Sequence, residues 1–111
     1  DMVFDKSSIT DEEIDRMWDL STYPGNMDAM FREFAESWED FNQTEIGGIT
    51  TNTLLIWGEE DSICPISMGS WYDSQLPNST MVVLPDIGHN PHFECPNRCL
   101  DEISSWMGTL S

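Results

Sequence analysis

Thr51-Asn52-Thr53-Leu54-Leu55-Ile56-Trp57-Gly58-Glu59-Glu60-Asp61 and Met81-Val82-Val83-Leu84-Pro85-Asp86-Ile87-Gly88-His89 are the two stretches that decide the fold. Each opens on a short apolar run rich in β-formers and without polar alternation, as a strand covered on both faces requires. Each then breaks into a polar loop, after Trp57-Gly58 in the first case and at Pro85 in the second. Between them, from Pro65 to about Gln75, Ile66, Met68 and Trp71 recur at a weak helical spacing. Beyond them Pro96 stands where a helix would begin, and Leu100, Ile103, Trp106 and Met107 share one face. Strand, helix, strand, helix is a βαβα unit, which implies an α/β fold with a parallel sheet and a right-handed crossover.

Upstream the pattern is helical. Thr10-x-x-Glu13 is a capping-box pattern, followed by Ile14, Met17 and Trp18 on one face. Pro24-Gly25 breaks the chain. Met27, Met30, Phe31, Phe34, Ala35, Trp38 and Phe41 then define one apolar stripe, predicting a second helix over 26–41. Gly47-Gly48 marks the loop before the first strand. Two parallel strands do not make a stable sheet alone, and the apolar content of four helices exceeds what two strands shelter. The remaining strands are expected from an N-terminal segment or from a second chain.

Composition narrows the partners. With 21 Asp+Glu against 4 Lys+Arg, the formal net charge is −17. Phosphate binding needs clustered Lys and Arg, so nucleic acid is not an expected partner, and a polybasic membrane anchor is ruled out on the same ground. The longest uncharged apolar run, Leu54-Leu55-Ile56-Trp57, is far too short to span a bilayer. The sequence begins at Asp1, and Asp1-Met2-Val3-Phe4 lacks the basic region and apolar run of a signal peptide, so it is expected to start inside a longer protein. Three cysteines, Cys64, Cys95 and Cys99, argue against a self-contained disulfide framework. Asn42-Gln43-Thr44 and Asn78-Ser79-Thr80 fit the N-glycosylation sequon, and the compartment is left open.

The chemistry sits in the loops after the two strands, at the carboxyl edge where open α/β sheets gather catalytic groups. The sequences Trp57-Gly58-Glu59-Glu60-Asp61 and Gly88-His89-Asn90-Pro91-His92-Phe93-Glu94-Cys95-Pro96 together resemble the end of the α/β-hydrolase family. In that family a strand closing in a tryptophan-glycine pair is followed, three residues after the glycine, by the triad aspartate. The next strand leads to a glycine-histidine pair, then a proline and an acidic-x-proline stretch before the last helix. Gly58 to Asp61, Gly88-His89, Pro91 and Glu94-Cys95-Pro96 match in order.

The resemblance implies that this is the C-terminal part of an α/β-hydrolase, with residues 1–45 the tail of a helical cap and 46–111 the C-terminal part of the core. It implies a cofactor-free hydrolase acting on an ester, lactone or related acyl bond of a small, largely apolar substrate. Asp61 would orient His89 and stabilise its imidazolium, and His89 would act as base. Glu59 and Glu60 are competing carboxylates, but the family offset selects Asp61, and Asp86 lies too close to His89 in sequence to approach it comfortably from the far side. The nucleophile, a serine on a Gly-x-Ser-x-Gly elbow, has no counterpart here and is expected from the N-terminal part of the hydrolase, as a missing segment or partner chain. This chain alone is therefore expected to be inert. Trp18, Met27, Met30, Phe31, Phe34 and Trp38 are candidate substrate-lining residues of the cap, against the plainer reading that they pack as core.

Three alternatives remain: an aspartate-nucleophile epoxide hydrolase or dehalogenase, a non-catalytic ligand-binding relative, and a zinc-binding module. The last would use His89, His92, Cys95 and Cys99, a set of nitrogen and sulfur donors interrupted by Pro91 and Pro96. Outside that reading, His92 is expected to be a packing residue.

Overall fold

The computed structural model describes residues 5–35 and 43–110. The chain divides into two compact units, Ser7–Phe41 and Asn42–Ser111, the second with Asp1–Lys6. No described helix is long and apolar enough to cross a membrane.

A 3-10 turn spans Lys6–Ser8, and in the first unit helix α1 then runs over Asp11–Thr22 and helix α2 over Asn26–Ala35. The predicted capping box forms: the Glu13 backbone N–H donates to Thr10 Oγ1 at 3.3 Å, and the Thr10 backbone N–H donates to Glu13 Oε2 at 2.8 Å. This satisfies two donors that the first helical turn would otherwise leave to solvent. Gly25 takes a left-handed φ of 93°, open to glycine without steric cost, and turns the chain from α1 to α2. The helix predicted over 26–41 is seen as far as Ala35, the rest falling outside the described residues. Ile14, Met17, Trp18, Met30 and Phe31 are all exposed.

The second unit opens with a short helix α3, Gln43–Ile46, and then builds the predicted βαβα unit: β1 (Thr53–Gly58), α4 (Ile66–Gln75), β2 (Ser79–Leu84) and, after a single helical turn α5 (Pro91–Glu94), α6 (Pro96–Thr109). The strands pair in parallel, with Ile56 opposite Val82 and Trp57 opposite Val83. The sequence pattern opens the first strand at Thr51. The strand itself begins at Thr53, because β2 starts only at Ser79 and the first inter-strand bond below it is Thr53 N–H to the Asn78 carbonyl, 2.9 Å.

Alternation along the strands sends neighbours to opposite faces. On one face Ile56 and Val82 pack with Leu84, Ile87, Cys95 and Cys99, so that α6 closes that side. On the other face lies α4, whose Gly69 comes so near Met81 and the Trp57 ring that even a methyl group would crowd both. Helices on both faces are what a parallel pair demands. Coverage is nevertheless thin. The buried hydrophobic residues among those described are Ile46, Leu84, Ile87 and Cys99, while Val83 on β2 and Leu100, Ile103 and Met107 on α6 are exposed. That excess of uncovered apolar surface is the expected consequence of a sheet of two strands.

Candidate active site

Both polar loops leave the same edge of the sheet, because parallel strands end on one side. They are laced together by backbone bonds that extend the ladder past its last pair. Glu59 N–H donates to the Leu84 carbonyl and Glu60 N–H to the Ile87 carbonyl, each at 2.9 Å. Gly58, buried at the end of β1, faces the carbonyls of Ile87 and Gly88 at a separation that excludes any side chain. Asp86 adopts a positive φ of 59°, and this left-handed residue turns the chain from β2 back toward that contact.

The acid loop then folds upon its own carboxylate. Asp61 Oδ1 accepts backbone N–H bonds from Ile63 at 2.9 Å and Cys64 at 2.8 Å, an Asx-turn arrangement. Cys64 is held at its other end, where its carbonyl accepts the Trp57 indole N–H at 2.8 Å. With Oδ1 committed to the backbone, Oδ2 is free to face the base loop. It lies 2.9 Å from His89 Nδ1.

The two partners differ in exposure: the Asp61 side chain is 6% exposed and that of His89 28%. Burial pushes the Asp61 carboxyl upward, but the Cys64 N–H, the His89 ring and the Ile63 N–H more than offset it, and Asp61 sits below the usual aspartate range. A carboxylate held ionised beside Nδ1 keeps the ring proton on that nitrogen, leaving Nε2 with a lone pair able to accept a proton. The arrangement is that of an acid–base pair with one oriented basic nitrogen.

A second carboxylate shapes the base loop. Glu94, at the end of α5, accepts the Gly88 N–H on Oε2 at 3.0 Å and the Asn90 N–H on Oε1 at 3.1 Å. One side chain thus clasps the backbone on either side of His89. The sequence marked Glu94 only as part of an acidic-x-proline phrase. The α5 turn that brings it back to the loop has the signal of Pro91 at its first position.

The structure brings Asp61 and His89 together; Glu59, Glu60 and Asp86 do not take that place. Trp18, Met27, Met30 and Phe31 belong to the helical unit and are exposed there. Phe34 lies on the backbone of α2, but its side chain, like the whole of Trp38, falls outside the described residues. The quartet His89, His92, Cys95 and Cys99 does not assemble as a ligand set. Among the described residues, the group whose donor atoms lie close enough to share an ion is Asp61, Cys64 and His89. Pro91 starts the α5 turn and Pro96 the α6 helix, so Cys95 and Cys99 follow α6 into the core beneath β2.

A family model described as alpha/beta hydrolase fold matches residues 4–96, and the chain belongs to that family. The uncharacterized hydrolase YugF of Bacillus subtilis is 31% identical over 106 residues, a match covering 96% of this chain and 39% of the relative. The pimeloyl-[acyl-carrier protein] methyl ester esterase of Nitrosomonas europaea is 30% identical over 64 residues, covering 55% of this chain and 25% of the relative. In fold, the meta-cleavage product hydrolase CumD of Pseudomonas fluorescens IP01 superposes with a TM-score of 0.86 at 22% identity, over 99% of this chain and 43% of that one. The chain thus spans between a quarter and two fifths of the length of these two curated relatives.

Proposed function

We propose that this chain carries the acid–base half of a hydrolase's catalytic triad. The observation that carries the reading is the Asp61 Oδ2 to His89 Nδ1 contact of 2.9 Å, set at the carboxyl edge of a parallel sheet. In this reading His89 Nε2 takes the proton of a nucleophile, a serine supplied by the N-terminal part of the protein, delivers it to the leaving group, and then takes a proton from the water that releases the acyl group and returns it to the serine. Asp61 fixes the tautomer and stabilises the imidazolium. The substrate is a small, largely apolar ester, lactone or related acyl compound. The relative named as a methyl ester esterase supports an ester in particular. The exposed Trp18, Met27, Met30 and Phe31 of the helical segment, with Phe34 and Trp38, are proposed to contact the apolar part of that substrate as the end of a cap.

The test is made on the intact protein with a panel of aryl and methyl esters. His89→Ala is expected to abolish turnover while the circular dichroism spectrum stays unchanged; retained turnover would sink the assignment. A serine-reactive fluorophosphonate should label the intact protein and leave the 111-residue chain unlabelled. Absence of labelling, together with hydrolysis of epoxides or haloalkanes, would move the nucleophile from serine to aspartate.

A further inference from the structure

Cys64 takes no part in the proton relay, yet its position beside the relay is fixed. Its N–H is bound by Asp61 Oδ1 and its carbonyl by the Trp57 indole, both at 2.8 Å, so the residue is anchored on each side of its Cα. From that anchored backbone the thiol shares a small volume with the catalytic pair. A carboxylate oxygen of Asp61, a ring nitrogen of His89 and the Cys64 sulfur all lie within 4.8 Å of one another. His89 and Cys64 are half-buried and the Asp61 side chain is nearly covered, so the cluster is not splayed into solvent. We propose that Asp61, Cys64 and His89 form a binding site for a thiophilic divalent cation of the zinc class, and that occupancy of this site arrests the acid–base pair.

Donor type and spacing both favour that class. Zinc binds thiolate at about 2.3 Å and imidazole or carboxylate at about 2.0–2.2 Å, so two donors on one tetrahedral ion stand roughly 3.3–3.7 Å apart. The observed limit of 4.8 Å is wider than that by roughly 1 Å. A side-chain rotation at Cys64 or His89 closes the difference, leaving the anchored backbone in place. A sulfur donor selects zinc, cadmium or cobalt over magnesium and calcium, which prefer all-oxygen sets. Three protein ligands leave a fourth tetrahedral position for water, so the site is one that an ion can enter and leave.

Binding is balanced as follows. The metal forms bonds to sulfur, oxygen and nitrogen; the Cys64 thiol gives up its proton to the buffer; the carboxylate and the neutral imidazole each donate a lone pair. The ring retains its single proton on the nitrogen that does not coordinate. In that state His89 no longer has both the orienting carboxylate and the free lone pair that proton transfer requires. The metal is therefore an inhibitor of this site, and this consequence rests on the acid–base role proposed above.

The experiment is a cobalt(II) titration of the intact protein, beside its Cys64→Ser and Cys64→Ala variants, with hydrolysis measured with and without zinc. The expected result is one equivalent of cobalt giving a thiolate charge-transfer band and intense tetrahedral ligand-field bands. Zinc should displace that ion, and both Cys64 variants should lose the band. No such band in the parent protein, or an equal band in the Cys64 variants (which retain Cys95 and Cys99), would overturn the site. In the rate measurement zinc should reduce the parent's turnover and spare Cys64→Ser relative to its own metal-free rate. Equal inhibition of both would overturn the regulatory role. A protein inactive on every substrate would count against the hydrolase reading, while the cobalt spectrum would still decide the metal site.

Discussion

Gly58 and Gly88 meet at the edge of the sheet so closely that a Cβ on Gly58 would overlap the Gly88 carbonyl oxygen. Gly58 ends β1 three residues before Asp61, and Gly88 immediately precedes His89. The contact therefore sets the separation of the two loops that carry Asp61 and His89. A methyl group here has backbone on the other side, which cannot rotate away as a side chain would. Gly58→Ala is expected to cost about 1–3 kcal/mol, in the range of other overpacked sites. Urea unfolding of the intact protein measures it, and hydrolysis should fall with the widened Asp61–His89 gap. An alanine variant with unaltered stability and rate would show that the loops adjust independently of this contact.

Glu94 clasps the loop from below, and its two bonds are charge-assisted because the acceptor is a carboxylate. Glu94→Ala frees the Gly88 and Asn90 N–H groups and lets the His89 ring drift. Misplacing a reacting group by about 1 Å costs on the order of 10²-fold in rate. Glu94→Gln keeps one acceptor oxygen and should recover part of the loss. The signature of a positioning role is a fall in kcat with little change in KM, together with that graded recovery. A change confined to KM would assign Glu94 to substrate binding instead.

Asp61→Asn leaves the shape of the acid loop but replaces the anionic acceptor at Oδ2 with an amide. The amide N–H, turned toward His89, would favour the tautomer with its lone pair on Nδ1, which points the basic nitrogen the wrong way. Turnover is expected to fall by about 10⁴-fold, as when the aspartate of other Ser–His–Asp triads is so changed. Because Asp61 Oδ1 also holds the Ile63 and Cys64 N–H groups, Asp61→Ala should lose stability as well as rate. Comparing the two variants by thermal unfolding and by hydrolysis separates the loop-forming oxygen from the histidine-facing one.

Much of this architecture is written in short-range patterns. The apolar runs ending at Trp57 and Leu84 disclose buried strands, Pro96 discloses the start of α6, and Thr10 with Glu13 discloses the start of α1. Those signals are local, since periodicity and capping act over one or two turns. What the pattern does not disclose depends on loops brought together across the sheet. The clasp of Glu94 on Gly88 and Asn90 requires the α5 turn, four residues whose helicity leaves no periodicity to read. Cys64 joins Asp61 and His89 only because the Asx turn and the Trp57 indole fix its backbone. The zinc quartet read from His89, His92, Cys95 and Cys99 failed for the same reason. Sequence proximity places donors along the chain, whereas two helix starts, at Pro91 and Pro96, redirect them in space.

The capping box at α1 yields a prediction on pH. Glu13 Oε2 accepts from the Thr10 backbone N–H and from the Thr10 hydroxyl, each at 2.8 Å, and these bonds, the backbone one foremost, hold the Glu13 carboxyl below the usual glutamate range. A group whose folded pKa is depressed stabilises the fold while it is ionised. The contribution is thus fully present above the ordinary glutamate pKa and is lost as pH falls through the lowered folded value. Thr10→Ala removes the hydroxyl donor to Glu13 and the Oγ1 that accepts the Glu13 N–H, and should destabilise the helix by ~1 kcal/mol at neutral pH, typical of a lost threonine cap. Carboxyl carbon NMR through an acid titration is the direct measurement. The Glu13 midpoint should lie below that of an unstructured glutamate in the parent and move back toward it in Thr10→Ala. An identical midpoint in both proteins would mean that the Thr10 hydroxyl contributes nothing to the charge state of Glu13.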